Sequence, residues 1–172
     1  FRVYNEIEIH KDLIMKIIFL DIDGVLTLQK SGWKFFDSDC VIALKKVLDN
    51  TDANMVLSSC WRHGFIDWDE NGKGCGLVHH TQAIRKIQEL LKPFDIDPSR
   101  LIDKTPDLIT PSDNERGEEI DKWLQAHTDV ECFVILDDDS DMAPHMDKLV
   151  QTDIDVGMTL ENADEAIAIL QK

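Results

Sequence analysis

Residues 16–26 read KIIFLDIDGVL, a run of apolar residues interrupted by two carboxylates one residue apart and then by a glycine. The apolar part, at 16–20, predicts a buried β-strand. Desolvating a carboxylate is costly unless a partner offsets its charge, so Asp21 and Asp23 require such a partner at the end of this strand. The stretch therefore predicts a functional site where the first strand ends.

Length and composition define the class of protein. The chain has 172 residues, 43% of them hydrophobic, which suffices for one compact domain. Its formal net charge of −16 argues against broad, nonspecific binding to nucleic acid or anionic membranes, and leaves room only for a local basic pocket. Four scattered cysteines favour free thiols in a reducing compartment, and no apolar stretch reaches the ~20 residues of a membrane span. We expect a cytoplasmic protein with no membrane partner and predict no specific protein partner.

The first 14 residues show no periodicity connected to the rest of the chain. Because Met15 directly precedes the first predicted strand, we interpret residues 1–14 as an upstream or expression-derived extension. The alternative is a genuine N-terminal strand or arm. The domain itself is expected to span residues 15–172.

Strand-length apolar runs alternate with helical patterns along the chain. The runs lie at 16–20, 53–57 and 132–136, with weaker ones at 100–102 and 148–151. Four apolar stripes predict helices between them: Val41, Leu44 and Leu48 after a cap at Ser38; Ala83, Ile84, Ile87, Leu90 and Leu91 before Pro93; Ile120, Trp123 and Leu124; and Ala163, Ala166, Ile167 and Leu170. This alternation predicts an α/β fold, a Rossmann-like three-layer sandwich with a mostly parallel central sheet.

Polar side chains follow three of the predicted strands. They are Asp21, then Ser58 and Ser59, and then Asp137, Asp138, Asp139 and Asp141. Ligands of parallel sheets bind beyond the carboxyl ends of the strands, so these groups are expected at one edge. Two unit charges ~4 Å apart repel by roughly 4 kcal/mol at an effective dielectric near 20, and a bound cation removes that penalty. Ligands that are all oxygens, beside a phosphate, favour Mg²⁺.

Three motifs in this order carry a resemblance to a known family. FLDIDGVL, VLSS and VILDD resemble the first, second and fourth motifs of the haloacid dehalogenase (HAD) superfamily of phosphotransferases, each after an apolar strand. More narrowly, VLSSCWR, RGEEIDKWL, VILDDDSDM and the tail LVQTDIDVGMTLENADEAIAIL are similar to the HAD domains of Swiss-army-knife RNA repair proteins. The resemblance spans roughly residues 15–172, with little contribution from 64–110. It implies a HAD-like fold and a Mg²⁺-dependent phosphatase.

The resemblance implies roles for the residues of the first two motifs. Asp21 would be the nucleophile that forms an aspartyl phosphate, and Asp23 would be the general acid and then base, with its backbone carbonyl touching Mg²⁺. Gly24 would turn the chain so that backbone N–H groups approach the phosphate. Ser58 would donate a hydrogen bond to the phosphoryl group, with Ser59 as the alternative.

The fourth motif would complete the metal site. The resemblance implies that Asp137 and Asp138 bind the metal directly or through water. Asp139 and Asp141 are expected to be loop residues or to lie behind the ligands, although one of them could replace Asp138.

A cation is also needed to offset the phosphoryl charge. Arg116 is preferred, because it matches the narrower family's RGEEI pattern. It lies at the start of a helix predicted at 115–127, for which Ser112 and Glu115 have the spacing of a capping box. The alternative is Lys104, which follows the weak strand at 100–102. Arg62, just beyond Ser58 in SSCWRHG, could contact a substrate phosphate or nucleotide.

Several other signals are weighed against this interpretation. Trp61 could stack on a base, but a packing role is preferred. DWDENG at 67–72 resembles the start of an EF-hand loop, yet its twelfth position is Val78, which cannot supply the bidentate carboxylate. A hypothetical zinc set fits no common finger spacing and stands partly at a predicted helix start; it comprises Cys60, His63, Cys75 and His79.

The segments between the motifs leave little room for a cap domain. Residues 29–53 hold one predicted helix, and a long loop is expected at 62–79. A capless, open site suits a large substrate. We therefore predict a phosphatase that acts on a nucleic-acid end such as that of RNA; the alternatives are a small-nucleotide phosphatase and a noncatalytic module that binds metal and phosphate.

Overall fold

The computed structural model describes residues 14–108 and 115–172. Within them the strands are β1 (Met15–Leu20), β2 (Asn54–Leu57), β3 (Gly64–Trp68), β4 (Gly74–His79), β5 (Leu101–Lys104), β6 (Val130–Asp137) and β7 (Leu149–Gln151). Five of them form a parallel sheet in the order β5–β2–β1–β6–β7. The chain moves outward from β1 first in one direction and then in the other. Ligands of doubly wound sheets bind at such a reversal point.

The helices that cover the sheet are α1 (Ser38–Asn50), α2 (Ala83–Leu91), α3 (Glu115–Ala126) and α4 (Leu160–Leu170). The cap of α1 is Asp37, whose side chain accepts hydrogen bonds from the backbone N–H groups of Asp39 and Cys40, and not Ser38 as expected. The capping box predicted for α3 involves Ser112, which lies outside the described residues. Among the described residues, each helix is too short or too polar to cross a membrane.

Both faces of the sheet are buried at its centre, which explains why β1 is apolar from Ile17 to Leu20. Ile18 and Leu20 belong to the core beneath α1, α2 and α4, whereas Ile17 and Phe19 belong to the core beneath α3. Phe19 meets Trp123 of α3 edge to face, with ring centroids 5.4 Å apart. The result is the predicted three-layer α/β architecture.

The segment predicted as a long loop at 62–79 is instead an antiparallel hairpin of β3 and β4, so that prediction is wrong. Its turn is held by the carboxylate of Asp69, which accepts hydrogen bonds from the backbone N–H groups of Asn71 and Lys73, each at 2.9 Å. The side chain of Asp67 forms an ion pair with Lys86 at 2.6 Å. The carboxylates that resembled an EF-hand are therefore part of the hairpin, and His79 ends β4 rather than starting a helix.

Candidate active site

Strand register brings three polar residues side by side at the reversal point of the sheet. Leu20 at the end of β1 is level with Leu57 of β2 and with Leu136 of β6, and the next residue in each strand is Asp21, Ser58 or Asp137. The backbone N–H of Asp21 donates to the carbonyl of Leu136 at 3.0 Å, and that of Ser58 donates to the carbonyl of Leu20 at 2.8 Å. The first and fourth motifs, more than a hundred residues apart in the chain, therefore meet at one point.

Three carboxylates converge at this point. One oxygen each of Asp21, Asp137 and Asp138 lies within 4.8 Å of the other two. Burial raises the pKa of Asp21 to about 6, although the nearby Arg116 opposes the shift. Burial, reinforced by the charge of Asp21, raises the pKa of Asp137 to about 8. Burial and the charge of Asp139 also raise the pKa of Asp138. The surrounding positive charge is too small to stabilise the ionised forms of these three carboxyl groups. A bound cation would supply the missing charge.

The donor atoms of this cluster fit Mg²⁺. Oδ2 of Asp137 is buried and has no hydrogen-bond partner among the described residues. Its other oxygen accepts a hydrogen bond from the backbone N–H of Asp139 at 2.9 Å, which fixes the orientation of the carboxylate. An all-oxygen set with one buried, unpartnered oxygen is suited to a hard divalent cation. The hypothetical zinc ligands are not part of this cluster. The group of possible metal ligands found in the described parts of the chain consists of aspartates alone.

The neighbouring loop aspartates have other roles in the fold. Asp139 contributes its backbone N–H to Asp137, and its side chain is exposed. The carboxylate of Asp141 accepts a hydrogen bond from the backbone N–H of Arg116 at 3.3 Å, at the start of α3. Neither side chain joins the cluster, so the expectation that they lie in the loop or behind the ligands agrees with their positions.

Asp23 lies beside the cluster, held by hydrogen bonds that the sequence did not reveal. Thr27 Oγ1 donates to its Oδ1 at 2.7 Å, and the indole Nε1–H of Trp61 donates to its Oδ2 at 3.0 Å. Trp61 is only 6% exposed and is stacked on Phe65 with centroids 4.1 Å apart. Trp61 is thus a packing residue, as preferred, and it also positions the carboxylate of Asp23. The contact of the Asp23 backbone carbonyl with Mg²⁺ stays a prediction.

Gly24 forms the expected tight turn after β1 and also makes room for Asp138. Its φ is +74°, and a Cβ built on it would collide with Cγ of Asp138, so only glycine allows Asp138 to approach this closely. Its N–H donates to the carbonyl of Thr27 at 2.9 Å. The N–H of Gly24 itself is thus used within the turn, and the approach of other backbone N–H groups of this turn to a phosphate stays a prediction.

The two serines after β2 differ in what their hydroxyl groups do. Oγ of Ser58 is buried and has no hydrogen-bond partner among the described residues. Oγ of Ser59 accepts a hydrogen bond from the backbone N–H of Trp61 at 3.3 Å. A hydrogen bond from the same side chain to the carboxyl group of Asp21 partly offsets the raised pKa of that group. Ser58 is therefore the hydroxyl without a hydrogen-bond partner among the described residues, and its bond to a phosphoryl group stays a prediction.

Of the two candidate cations, Arg116 reaches the carboxylates. Its guanidinium donates to the carbonyl of Ser58, and its Nε lies 3.8 Å from Oδ2 of Asp137. Burial alone would lower the pKa of Arg116, but the charges of Asp21 and Asp137 outweigh it and raise that pKa. Lys104, the alternative, donates instead to the backbone carbonyl of Arg62 at 3.3 Å.

Arg62 does not have the role that the sequence suggested. Its guanidinium forms a buried ion pair with Glu119 of α3 at 2.5 Å and donates to the carbonyl of Ser59 at 3.0 Å. Both side chains are almost completely buried. This placement contradicts the expectation of a phosphate contact, because the charge of Arg62 is matched by a carboxylate of its own.

Comparison with known proteins agrees with this geometry. Residues 17–163 match the family described as the HAD domain in Swiss Army Knife RNA repair proteins. Comparisons with curated proteins and with solved structures gave no significant match. The family match covers most of the chain and includes every residue assigned above to the site. The chain therefore belongs to the family of HAD domains found in Swiss Army Knife RNA repair proteins.

Proposed function

We propose that this domain is a Mg²⁺-dependent phosphatase that removes a terminal phosphate from a nucleic-acid end such as that of RNA, through an aspartyl phosphate on Asp21. The observation that supports it most is the convergence of Asp21, the unpartnered hydroxyl of Ser58 and the guanidinium of Arg116 at one end of the sheet. A nucleophile, a hydrogen-bond donor and a cation are what phosphoryl transfer needs. The family's association with RNA repair supports the substrate class.

Asp21, Asp137 and Asp138 would hold the metal, together with the backbone carbonyl of Asp23. When bound, Mg²⁺ supplies Lewis-acid stabilisation of the phosphoryl oxygens. The unpartnered oxygen of Asp137 and the raised pKa values of Asp21 and Asp137 support this assignment.

The residues of the chain divide the reaction into two displacements. An oxygen of Asp21 forms a bond to phosphorus as the bond to the leaving oxygen breaks, and Asp23 gives that oxygen its proton. Asp23 then takes a proton from water, which attacks phosphorus and frees inorganic phosphate and the Asp21 carboxylate. Throughout, Ser58 donates to a phosphoryl oxygen and Arg116 offsets its charge. The bonds from Thr27 and Trp61 keep the carboxylate of Asp23 turned toward the leaving group.

A large substrate is supported by the shape of the domain. In the described chain, the segment between β1 and β2 holds a short 3₁₀ turn at Gln29–Ser31 and α1, and the segment after β2 holds the hairpin. Neither is a folded cap that would close over a small metabolite. This arrangement supports a substrate larger than a small metabolite, such as a polynucleotide end.

The net charge of the chain limits where RNA could bind, and its free thiols bear on the compartment in which it works. With a net charge of −16, contact with RNA must be confined to a local patch near the site. All four cysteines, Cys40, Cys60, Cys75 and Cys132, are free thiols, which supports a reducing compartment such as the cytoplasm.

The test measures phosphate release, with and without Mg²⁺, from 5′- and 3′-phosphorylated oligonucleotides, mononucleotides and an aryl phosphate. Asp21→Asn should abolish turnover, and beryllofluoride should form an adduct on the wild type alone. Asp52→Asn removes a carboxylate that is 81% exposed and serves as the matched control. Equal turnover by wild type and Asp21→Asn would refute the assigned nucleophile. Preference for mononucleotides would identify a small-nucleotide phosphatase, and Mg²⁺ binding without turnover a noncatalytic module.

A further inference from the structure

A groove lined with aromatic residues lies next to the site. It encloses about 180 Å³ between the segment before α1, the hairpin and the C-terminal end of α2. We call it the aromatic groove and define it by Lys34, Phe35, Phe36, Trp61, Phe65 and Trp68. No step of the proposed reaction uses it.

The aromatic groove and the site share one side chain. Trp61 lines the groove, and its Nε1–H donates to Oδ2 of Asp23 at 3.0 Å. Asp23 is the group that gives a proton to the leaving oxygen, so the rest of the substrate leaves on the side of Asp23. The indole ring of Trp61 therefore separates the groove from the leaving oxygen, which in the proposed reaction joins the phosphate to the rest of the substrate.

The size and the walls of the groove limit what it can hold. Pockets for drug-sized ligands usually measure ~300–1,000 Å³, so a cavity of about 180 Å³ takes a single flat ring system. Phe35 is 39% exposed, which leaves part of its ring open to a ligand. Aromatic faces of this kind stack on nucleobases without strong sequence preference, because every base has a π face.

The charge of the groove suits a polyanion although the chain as a whole is acidic. Nζ of Lys34 lies 4.9 Å from the centre of the Trp68 ring. Asp67 is the one carboxylate among the described residues that line the groove, and it is paired with Lys86 at 2.6 Å. Among the described residues that line the groove, Lys34 is therefore a cation without a carboxylate partner.

We propose that the aromatic groove binds the nucleobase of the terminal nucleotide while its phosphate lies at Asp21, and that Lys34 contacts the phosphate backbone. This subsite rests on the proposed action at a nucleic-acid end and adds how that end is recognised. Recognition of this kind is tolerant of sequence but requires a base.

The test compares two oligonucleotides with the same terminal phosphate, one with a normal terminal nucleotide and one whose terminal residue is abasic. The wild type should prefer the normal end in kcat/KM by about 5- to 150-fold, the range that alanine substitutions give for base stacking. Phe35→Ala and Trp68→Ala should lose most of this preference by slowing the normal end alone. Circular dichroism spectra and melting temperatures like those of the wild type would show that both variants are folded.

Two further variants separate stacking from charge and from general surface effects. Lys34→Gln should weaken both substrates equally and lower the salt dependence of log kcat/KM by about 0.7, the value for one single-strand phosphate contact. Leu77→Ala removes an apolar side chain of the hairpin that is 71% exposed and does not line the groove, so the base preference should remain. The proposal fails if the wild type hydrolyses both ends equally, if Phe35→Ala slows both in parallel, or if Leu77→Ala loses the preference as well.

The groove can be tested even if the proposed phosphatase activity is not found. Binding of the same two oligonucleotides to Asp21→Asn protein, followed by fluorescence anisotropy, needs no turnover. A base-dependent affinity that Phe35→Ala removes supports the groove as a base-binding site, and equal affinity for both oligonucleotides refutes it. Tighter binding of a phosphopeptide than of the normal oligonucleotide would refute it too, because the groove would then serve a protein partner.

Discussion

Arg62 and Arg116 both donate to backbone carbonyls of the turn after β2, those of Ser59 and Ser58, but their surroundings differ. Arg62 has a carboxylate of its own, that of Glu119 at 2.5 Å, so its charge is matched within the fold. Arg116 instead faces several carboxylates at once, with Asp137 3.8 Å away and Asp21 close enough to raise its pKa. An arginine with a dedicated partner fixes the structure, whereas one among surplus carboxylates can serve a phosphate. Three predictions test this difference between the two arginines, and a fourth concerns the uncharged neighbour Trp61.

The largest effect is expected from breaking the matched pair. Arg62→Met leaves the carboxylate of Glu119 buried and unpaired, which should lower the free energy of unfolding by about 3–5 kcal/mol. Chemical denaturation measures it. The double variant Arg62→Met/Glu119→Leu replaces both charges by apolar groups and should recover most of the loss. If the single variant is as stable as the wild type, the pair does not hold α3 to the turn.

Arg116 should behave in the opposite way, with a large effect on turnover. Arg116→Ala removes the cation that offsets the phosphoryl charge and should lower kcat by about 10²–10³-fold, as removal of one transition-state donor does. Arg116→Lys should recover part of kcat, because lysine keeps the charge but not the planar fork. Steady-state kinetics with the preferred oligonucleotide measure both variants. If kcat of Arg116→Ala is within a factor of two of the wild-type value, Arg116 does not offset the phosphoryl charge, and Lys104 becomes the candidate for that role.

The pH dependence of stability should separate the two arginines further. In the metal-free protein the pKa values of Asp21 and Asp137 are raised from 3.8 to about 6 and about 8, so the folded state keeps protons that the unfolded chain has released. The contribution of these two groups to the free energy of unfolding should therefore be greatest below about pH 4 and should fall as the pH rises toward about 8. Mg²⁺ binds the ionised carboxylates and should oppose this fall.

Melting temperatures measured from pH 4 to pH 9, in a chelator and in Mg²⁺, test this expectation. In Arg116→Ala the fall should extend to higher pH, since Arg116 lowers the pKa of both carboxyl groups. In Arg62→Met the curve should lie lower most of all at neutral pH and above, because burial raises the pKa of Glu119 and Arg62 no longer opposes that shift. A flat curve for the metal-free wild type would contradict the raised pKa values.

The smallest effect is expected at Trp61, which positions an acid and carries no charge. Trp61→Phe keeps a ring against Phe65 but removes the N–H that donates to Asp23. It should lower kcat about tenfold, the lower end of the range for hydrogen bonds to charged groups, with little change in KM. A loss of melting temperature without a loss of kcat would reduce Trp61 to a packing role.

The sequence predicted those parts of the molecule that depend on short-range pattern. The strands at 16–20 and 132–136 were recognisable because both faces of the sheet are buried and their residues are almost all apolar. The carboxylates that follow them indicated where the acidic cluster forms. The hairpin was missed because Gly64–Trp68 is only half-buried and carries no strong alternation. The pairing of Arg62 with Glu119 joins residues 57 positions apart, and that of Trp61 with Asp23 joins residues 38 apart. No local pattern distinguishes such partners from solvent-exposed side chains.

The position of β6 between β1 and β7 has a consequence for how the domain is made. During synthesis β1, β2 and β5 emerge first, and the apolar edge of β1 stays unpaired until Val130–Asp137 has left the ribosome. An uncovered apolar edge invites pairing with other chains. A nascent chain that stalls before residue 130 thus lacks both Asp137 and the strand that pairs with this edge of β1, so the same late strand completes the carboxylate cluster and protects β1 from pairing with other chains.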